Sequence, residues 1–220
     1  DAIFIFGLGP IPAFGISGAA WASTVSQWSG AALALLAIGR GLGWPEKFTT
    51  SGIRVLMRIG GDMFVRTGLL TVFLVLGTRA ATSIGADAGA AHHVIRQVWL
   101  FSALALDALA ITAISLIGWY VGANLIARAR RVAALTCIWS LFFGILLAVG
   151  MLLLERQVKS TFLPEEAWLI FSGAWFWSAL AQPLNALCFA TDGIHWGTRD
   201  FRYLRNGMIL AAIVGIGGLL

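Results

Sequence analysis

Residues 86–120 read ADAGAAHHVIRQVWLFSALALDALAITAISLIGWY, a run long and apolar enough to cross a membrane that nonetheless carries Arg96 and Asp107 in its interior. At about 1.5 Å per residue, a continuous helix over this stretch reaches roughly 50 Å, against a hydrocarbon core of roughly 30 Å. Arg96 and Asp107 lie eleven residues apart, which is about three turns. The spacing therefore predicts that both occupy one face, about 16 Å apart along the axis. Ionisable side chains at bilayer depth turn toward a bundle interior or a wet cavity, so the face that bears them is a candidate wall of a solute pathway.

The composition of the whole chain agrees with a membrane setting. Of 220 residues 59% are hydrophobic and only 11% charged, and the mean hydropathy of +0.87 lies far outside the range of a soluble domain. The 26 glycines suit close helix approach in lipid. A net charge of +5 comes from basic residues placed between apolar runs, which points to a membrane surface and not to nucleic acid. Cys137 and Cys188 both sit in apolar runs and form no disulfide framework. The chain starts and ends inside apolar sequence, without an initiator Met or a signal pattern, and reads as a fragment.

Working outward, residues 2–12 (AIFIFGLGPIP) read as the end of a helix followed by a Gly/Pro turn. Apolar spans are expected at about 15–39, 62–85, 88–120, 132–154 and 165–190, with a last one starting near 204. Residues 40–60 interrupt the pattern with six charged or proline positions, while Ile53, Leu56, Met57 and Gly60 keep helical spacing. This predicts an amphipathic connector in the interface. Basic residues accumulate on the cytoplasmic side of a membrane. Arg40, Lys47, Arg54 and Arg58 fall in 40–60, Arg128, Arg130 and Arg131 in 122–131, and Arg199, Arg202 and Arg205 in 191–205. The alternate loops hold only Arg156 and Lys159. Ten against two, alternating as the spans require, places loops 40–60, 122–131 and 191–205 in the cytoplasm.

Three stretches carry a resemblance: FGISGAAWASTVSQWSG, GAAHHVIRQVWLFSALALDALAI and, most specific, QPLNALCFATDGIHWGTRDFRYLRN. They resemble the multidrug and toxin extrusion (MATE) transporters, in particular the DinF-like branch, over nearly the whole chain. The resemblance implies an all-α polytopic bundle belonging to a twelve-helix fold with two six-helix lobes facing a cavity. Residues 1–39 would then be the end of the N-terminal lobe (the tail of helix five, then helix six), 40–60 the inter-lobe connector, and 61–220 an incomplete C-terminal lobe holding helices seven to ten and part of eleven. The absent N-terminal lobe becomes a partner, and its first helix is where the family commonly places a proton-coupling carboxylate. In sodium-linked NorM-type members an acid stands eight residues before the glycine that here is Gly193, whereas this chain has neutral Asn185.

Several residues are candidates for pathway chemistry, each with a plainer alternative. Asp107, well inside a span, reads as a proton or cation site or as a buried acid bonded to a neighbouring helix. Arg96 reads as a pathway group or as a cap that snorkels outward. Asp62 and Arg66, four apart with the acid first, suit an intrahelical pair, and Arg66 also enters the pathway set as a cation. Arg79, near the other end of that helix, reads as an interfacial anchor. Gln182, Pro183 and Asn185 lie mid-span, where proline removes a backbone hydrogen bond and opens a kink. Trp99 offers a face to a flat cationic solute, while Trp175, Phe176 and Trp177 read as a lipid-facing or interfacial belt. His92 and His93 point about 100° apart on a helix and do not form a metal pair. No cofactor motif, phosphate loop or hydrolase elbow is present.

The reading is therefore a multi-pass transporter of a plasma or bacterial inner membrane, not an enzyme, that exports small organic solutes by cation-coupled antiport through alternating access. The proton is the favoured coupling cation. A lipid-linked precursor flippase of the same superfamily and a channel are the alternatives.

Overall fold

The computed structural model describes residues 2–7, 12–43 and 50–218, and all its regular elements are helical. They are α1 (Ala2–Phe6), α2 (Gly15–Leu42), α3 (Thr50–Ile84), α4 (Ala86–Gly122), α5 (Ile126–Phe162), a 3-10 turn (Glu165–Ala167), α6 (Trp168–Leu180), α7 (Gln182–Gly197) and α8 (Phe201–Gly217). Among the described residues three helices are long and apolar enough to cross a membrane, Gly52–Ile84, Ala86–Gly122 and Ile126–Phe162. The Gly/Pro turn expected at 8–11 and connector residues 44–49 lie outside the described residues.

The helices overrun the spans read from hydropathy. At 35, 37 and 37 residues, α3, α4 and α5 each reach more than 50 Å at about 1.5 Å per residue. The charged stretches at 122–131 and 191–205 are accordingly mostly helix, leaving turns of 123–125 and 198–200. A helix satisfies its own backbone, so polar side chains near the interface do not end it. The ends come instead at Asn124 (φ 58°) and Arg199 (φ 62°), whose left-handed backbone stops each helix. The single span expected over 165–190 is corrected to two helices, α6 and α7, with the break at Ala181. Pro183 has no N–H to donate to the carbonyl of Ala179, while Asn185 N–H reaches the carbonyl of Ala181 at 2.9 Å.

Two compact units divide the chain, Asp1–Arg54 and Val55–Leu220. In the first, the Phe14 N–H donates to the carbonyl of Phe4 at 3.1 Å and fixes α1 against the start of α2. In the second, α4 is the central helix and packs on α5, α6 and α7. Its buried residues Ala103, Leu106, Ala110, Ala113 and Ile117 recur every three or four positions. Those of α7 do the same with Gln182, Ala186, Ala190, Gly193 and Gly197. Small residues in register let two backbones meet, the arrangement that replaces hydrophobic drive inside a bilayer.

Gly193 marks the closest approach. A Cβ there would stand 2.6 Å from the carbonyl oxygen of Ala110 and 2.9 Å from its Cα, so α4 and α7 would have to part. Gly193→Ala is expected to destabilise the protein by about 1–3 kcal/mol, with Gly193→Val worse. Thermal unfolding of the purified full-length protein checks this; an unchanged midpoint for both variants would show that α7 does not bear on α4 here.

A second cluster lies between α4, α5 and α6, around Ala91, Met151, Leu163, Ala167, Phe171, Trp175 and Ala179. The rings of Phe171 and Trp175 lie 5.0 Å apart, tilted by 30°, and Trp175 Nε1 donates to the carbonyl of Met151 at 2.8 Å. Trp175 is thus core, not belt, a correction to its sequence reading, because its indole N–H finds a buried acceptor. Phe176 and Trp177 do face outward.

α3 differs from its neighbours. Only 6% of its apolar stretch is buried, against 33% for α4, and its ties to the bundle are made by side chains. Arg205 Nη1 donates to Asp62 Oδ1 at 2.6 Å, Arg66 pairs with Asp192 of α7, and Arg96 Nη1 donates to Thr78 Oγ1 at 3.1 Å. The intrahelical Asp62–Arg66 pair expected from sequence is therefore corrected: each charge bonds across to another helix. An exposed pair along one helix contributes only about 0.3–0.5 kcal/mol, whereas Asp62 is 7% exposed and needs a cation that reaches into the packed side.

Candidate functional site

Two cavities open on one side of the second unit and share Leu70, Trp99 and Asn185. The first, about 380 Å³, is bounded by α3, α4, α7 and Met208 of α8, and its polar lining is Arg66, Asp107, Asn185 and Asp192. The second, about 420 Å³, is lined by His92, Arg96, Ser178, Gln182 and Asn185 together with apolar Phe73, Leu74, Ile95 and Met151. These volumes suit one small organic molecule.

Local sequence explains how the side chains arrive there. On α4, Arg96, Trp99, Asp107, Ala110 and Ile114 follow helical spacing and line these cavities, so the charges eleven residues apart do share a face. On α7, Asn185, Cys188, Asp192 and Trp196 form the matching stripe. The break at Ala181 places Ser178 and Ala181 at the end of the second cavity beside Gln182.

All six candidate pathway residues, Asp107, Asn185, Gln182, Arg96, Arg66 and Trp99, thus line one or both cavities. Asp107 is exposed to the first cavity. Gln182 is only 2% exposed, and its Oε1 accepts from Asn185 Nδ2 at 3.4 Å. Arg79 is exposed and lines neither cavity. His92 faces the second cavity while His93 faces a separate one with Phe101 and Phe162, as adjacent helical positions must diverge. No cluster of three or more potential metal ligands occurs among the described residues.

Asp192 escaped the sequence reading because it lies near a span end. The signal was its spacing: it follows Asn185 by seven residues, two turns along the same face. Thr78 was missed as well. Its hydroxyl donates to the carbonyl of Leu74 at 2.9 Å, and the same oxygen accepts from Arg96, with His92 Nε2 at 3.3 Å.

The two cavities differ in charge. The first holds two acids and one cation, and that cation is bound to Asp192. The second holds Arg96 and His92 and no acid. Two adjacent part-polar cavities of this size, sharing Trp99 and Asn185, can each hold a small solute.

Over 217 residues the chain is 30% identical to Protein DETOXIFICATION 44, chloroplastic, of Arabidopsis thaliana, covering 97% of this chain and 41% of that protein. Over 222 residues it is 29% identical to the probable multidrug resistance protein NorM of Deinococcus radiodurans, covering 96% of this chain and 49% of that protein. The chain belongs to the MATE family. Protein DETOXIFICATION 45, chloroplastic, of Arabidopsis thaliana aligns at 30% over 208 residues, 93% of this chain and 36% of the relative. This MATE chain spans between about a third and a half of the length of these relatives. No family model matches it, and no solved structure matches at a significant level.

Proposed function

We propose that the full-length protein exports small organic solutes across a membrane by cation-coupled alternating access, with the cavity-bearing side of α3, α4 and α7 as one wall of the pathway. The observation that carries this is the pair of contiguous cavities through Trp99 and Asn185, on a chain whose relatives include a protein named for multidrug resistance. Residues 1–39 belong in this reading to the end of the N-terminal lobe, 40–60 to the inter-lobe connector and 61–220 to the C-terminal lobe. The plasma or bacterial inner membrane is the proposed location; the names of two plant relatives place those proteins in chloroplasts.

The coupling cation is proposed to be the proton. Asn185 offers a carbonyl oxygen to a solute but no charge to hold sodium in a low-dielectric wall, while Asp107 gives a titratable group open to the first cavity. In proteoliposomes of the full-length protein, an imposed pH gradient is expected to drive ethidium transport and a sodium gradient to leave it at background. Sodium-driven transport would remove the proton assignment.

The orientation follows from charge. Gly197 lies against Ile117, and Asp62 binds Arg205, so Arg58, Arg128–Arg131 and Arg199–Arg205 gather at one end of the second unit. Lys159, bonded to Glu155 and Ser172, lies toward the other end of α5. The basic end is proposed to be cytoplasmic. Single cysteines at the exposed positions Arg130 and Thr198, in a background lacking Cys137 and Cys188, are expected to resist an impermeant thiol reagent in intact cells, and one at Ser160 to react. The reverse labelling would invert the orientation.

A further inference from the structure

We propose that the second cavity is an anion subsite that takes the carboxylate of a flat organic acid, with Arg96 as its donor and Trp99 as the face on which the ring lies. This rests on the export reading for its physiological use, although the subsite itself is a matter of binding.

Three observations carry it. No acid lines this cavity, whereas the first holds Asp107 and Asp192. Arg96 forms no ion pair among the described residues, in contrast with Arg66, whose charge is spent on Asp192. Finally, Arg96 is held in place: its Nη1 donates to Thr78 Oγ1 at 3.1 Å, and the Thr78 hydroxyl is itself turned to the carbonyl of Leu74 at 2.9 Å. Thr78 therefore presents a lone pair to Arg96 and orients the guanidinium. One of five N–H groups is used in this way, and the remaining donors suit the two-oxygen fork of a carboxylate. Asn185 and Ser178 line the same space and supply further hydrogen-bonding groups, while Trp99, shared by both cavities, accepts an aromatic ring by offset stacking. A volume of about 420 Å³ accommodates a bicyclic acid. Opposite charge preferences in adjacent cavities also account for the coexistence of Arg96 and Asp107 on one helix face: an organic acid and a cation occupy different cavities.

The test compares two nearly isosteric probes, 1-naphthoate and neutral 1-naphthamide, by equilibrium dialysis with purified full-length protein and no ion gradient. Wild type is expected to bind the acid about tenfold or more tightly than the amide, the scale of one charge-assisted hydrogen-bonded contact. Arg96→Gln should bring the two within about twofold by weakening the acid alone, and Thr78→Val should reduce the preference severalfold while keeping the charge. Arg96→Lys, which keeps charge without the fork, should fall between and serves if Arg96→Gln does not fold. Equal binding of acid and amide by wild type, or a preference that survives Arg96→Gln, overturns the proposal. Preferential binding without gradient-driven export of naphthoate or ethidium in proteoliposomes would count against the export reading and leave the subsite standing.

Discussion

Asp107→Asn in the full-length protein is expected to abolish export driven by a pH gradient, a fall of at least about tenfold, with the protein still inserted and folded. The amide keeps the size and the hydrogen-bonding carbonyl of the acid but carries no titrating proton. Among the described residues Asp107 forms no ion pair and is exposed to the first cavity, so the substitution removes charge without breaking a helix contact. Initial rates of ethidium transport in proteoliposomes, taken across a series of imposed pH differences, read the effect directly. Export that keeps its pH response in the variant would take the coupling role from Asp107 and move it to another carboxylate. Asp192 is then the remaining acid on that cavity, and its loss also strips Arg66 of its partner.

The second large effect belongs to stability. Removing Arg205 leaves Asp62, the most buried carboxylate in the second unit at 7% exposure, without the guanidinium that donates to it at 2.6 Å. An uncompensated carboxylate on a packed face costs several kcal/mol when fully buried. Arg205 is itself a third exposed, so water offsets part of the loss, and Arg205→Met is expected to cost about 2–3 kcal/mol. Adding Asp62→Asn should recover most of it. Because α3 is held largely by side-chain ties, the variant should also loosen the start of α3 before the rest of the bundle, visible as faster amide exchange there. The decisive comparison is a double-mutant cycle: Asp62 should couple to Arg205 and only weakly to Arg66. Coupling of the opposite pattern would restore the intrahelical pairing that the spacing of 62 and 66 suggests.

That pairing shows where reading from sequence stopped. A spacing of four places Asp62 and Arg66 within reach of each other on one helix, and nothing in the local sequence distinguishes this from two pairs made to other helices. Arg205 and Asp192 lie more than 120 residues further along the chain, and they come near α3 only through the tertiary fold. Trp175 follows the same logic. Its neighbours Phe176 and Trp177 are equally aromatic, and only the carbonyl of Met151 sets it apart as core. Pro183, by contrast, states its effect locally, since the missing N–H predicts a disturbance of the helix just before it, and the break stands at Ala181.

The candidate site was more legible than the pairing within it. Arg96, Trp99 and Asp107 fall on one face of α4 by helical period alone, and an apolar stretch that tolerates two charges has to turn them away from lipid. The sequence by itself therefore determined the all-α class, the alternation of apolar spans with basic ends, and the face of α4 that bears the charges, because each depends on residues within a few turns of one another. The tertiary structure alone decided which charges neutralise each other, that Arg66 is bound while Arg96 is left with a hydroxyl, and that Asp192 joins Asp107 on one cavity wall. Those outcomes depend on which helices pack side by side, and a pattern of period 3.6 specifies the face a helix presents but not the neighbour that meets it.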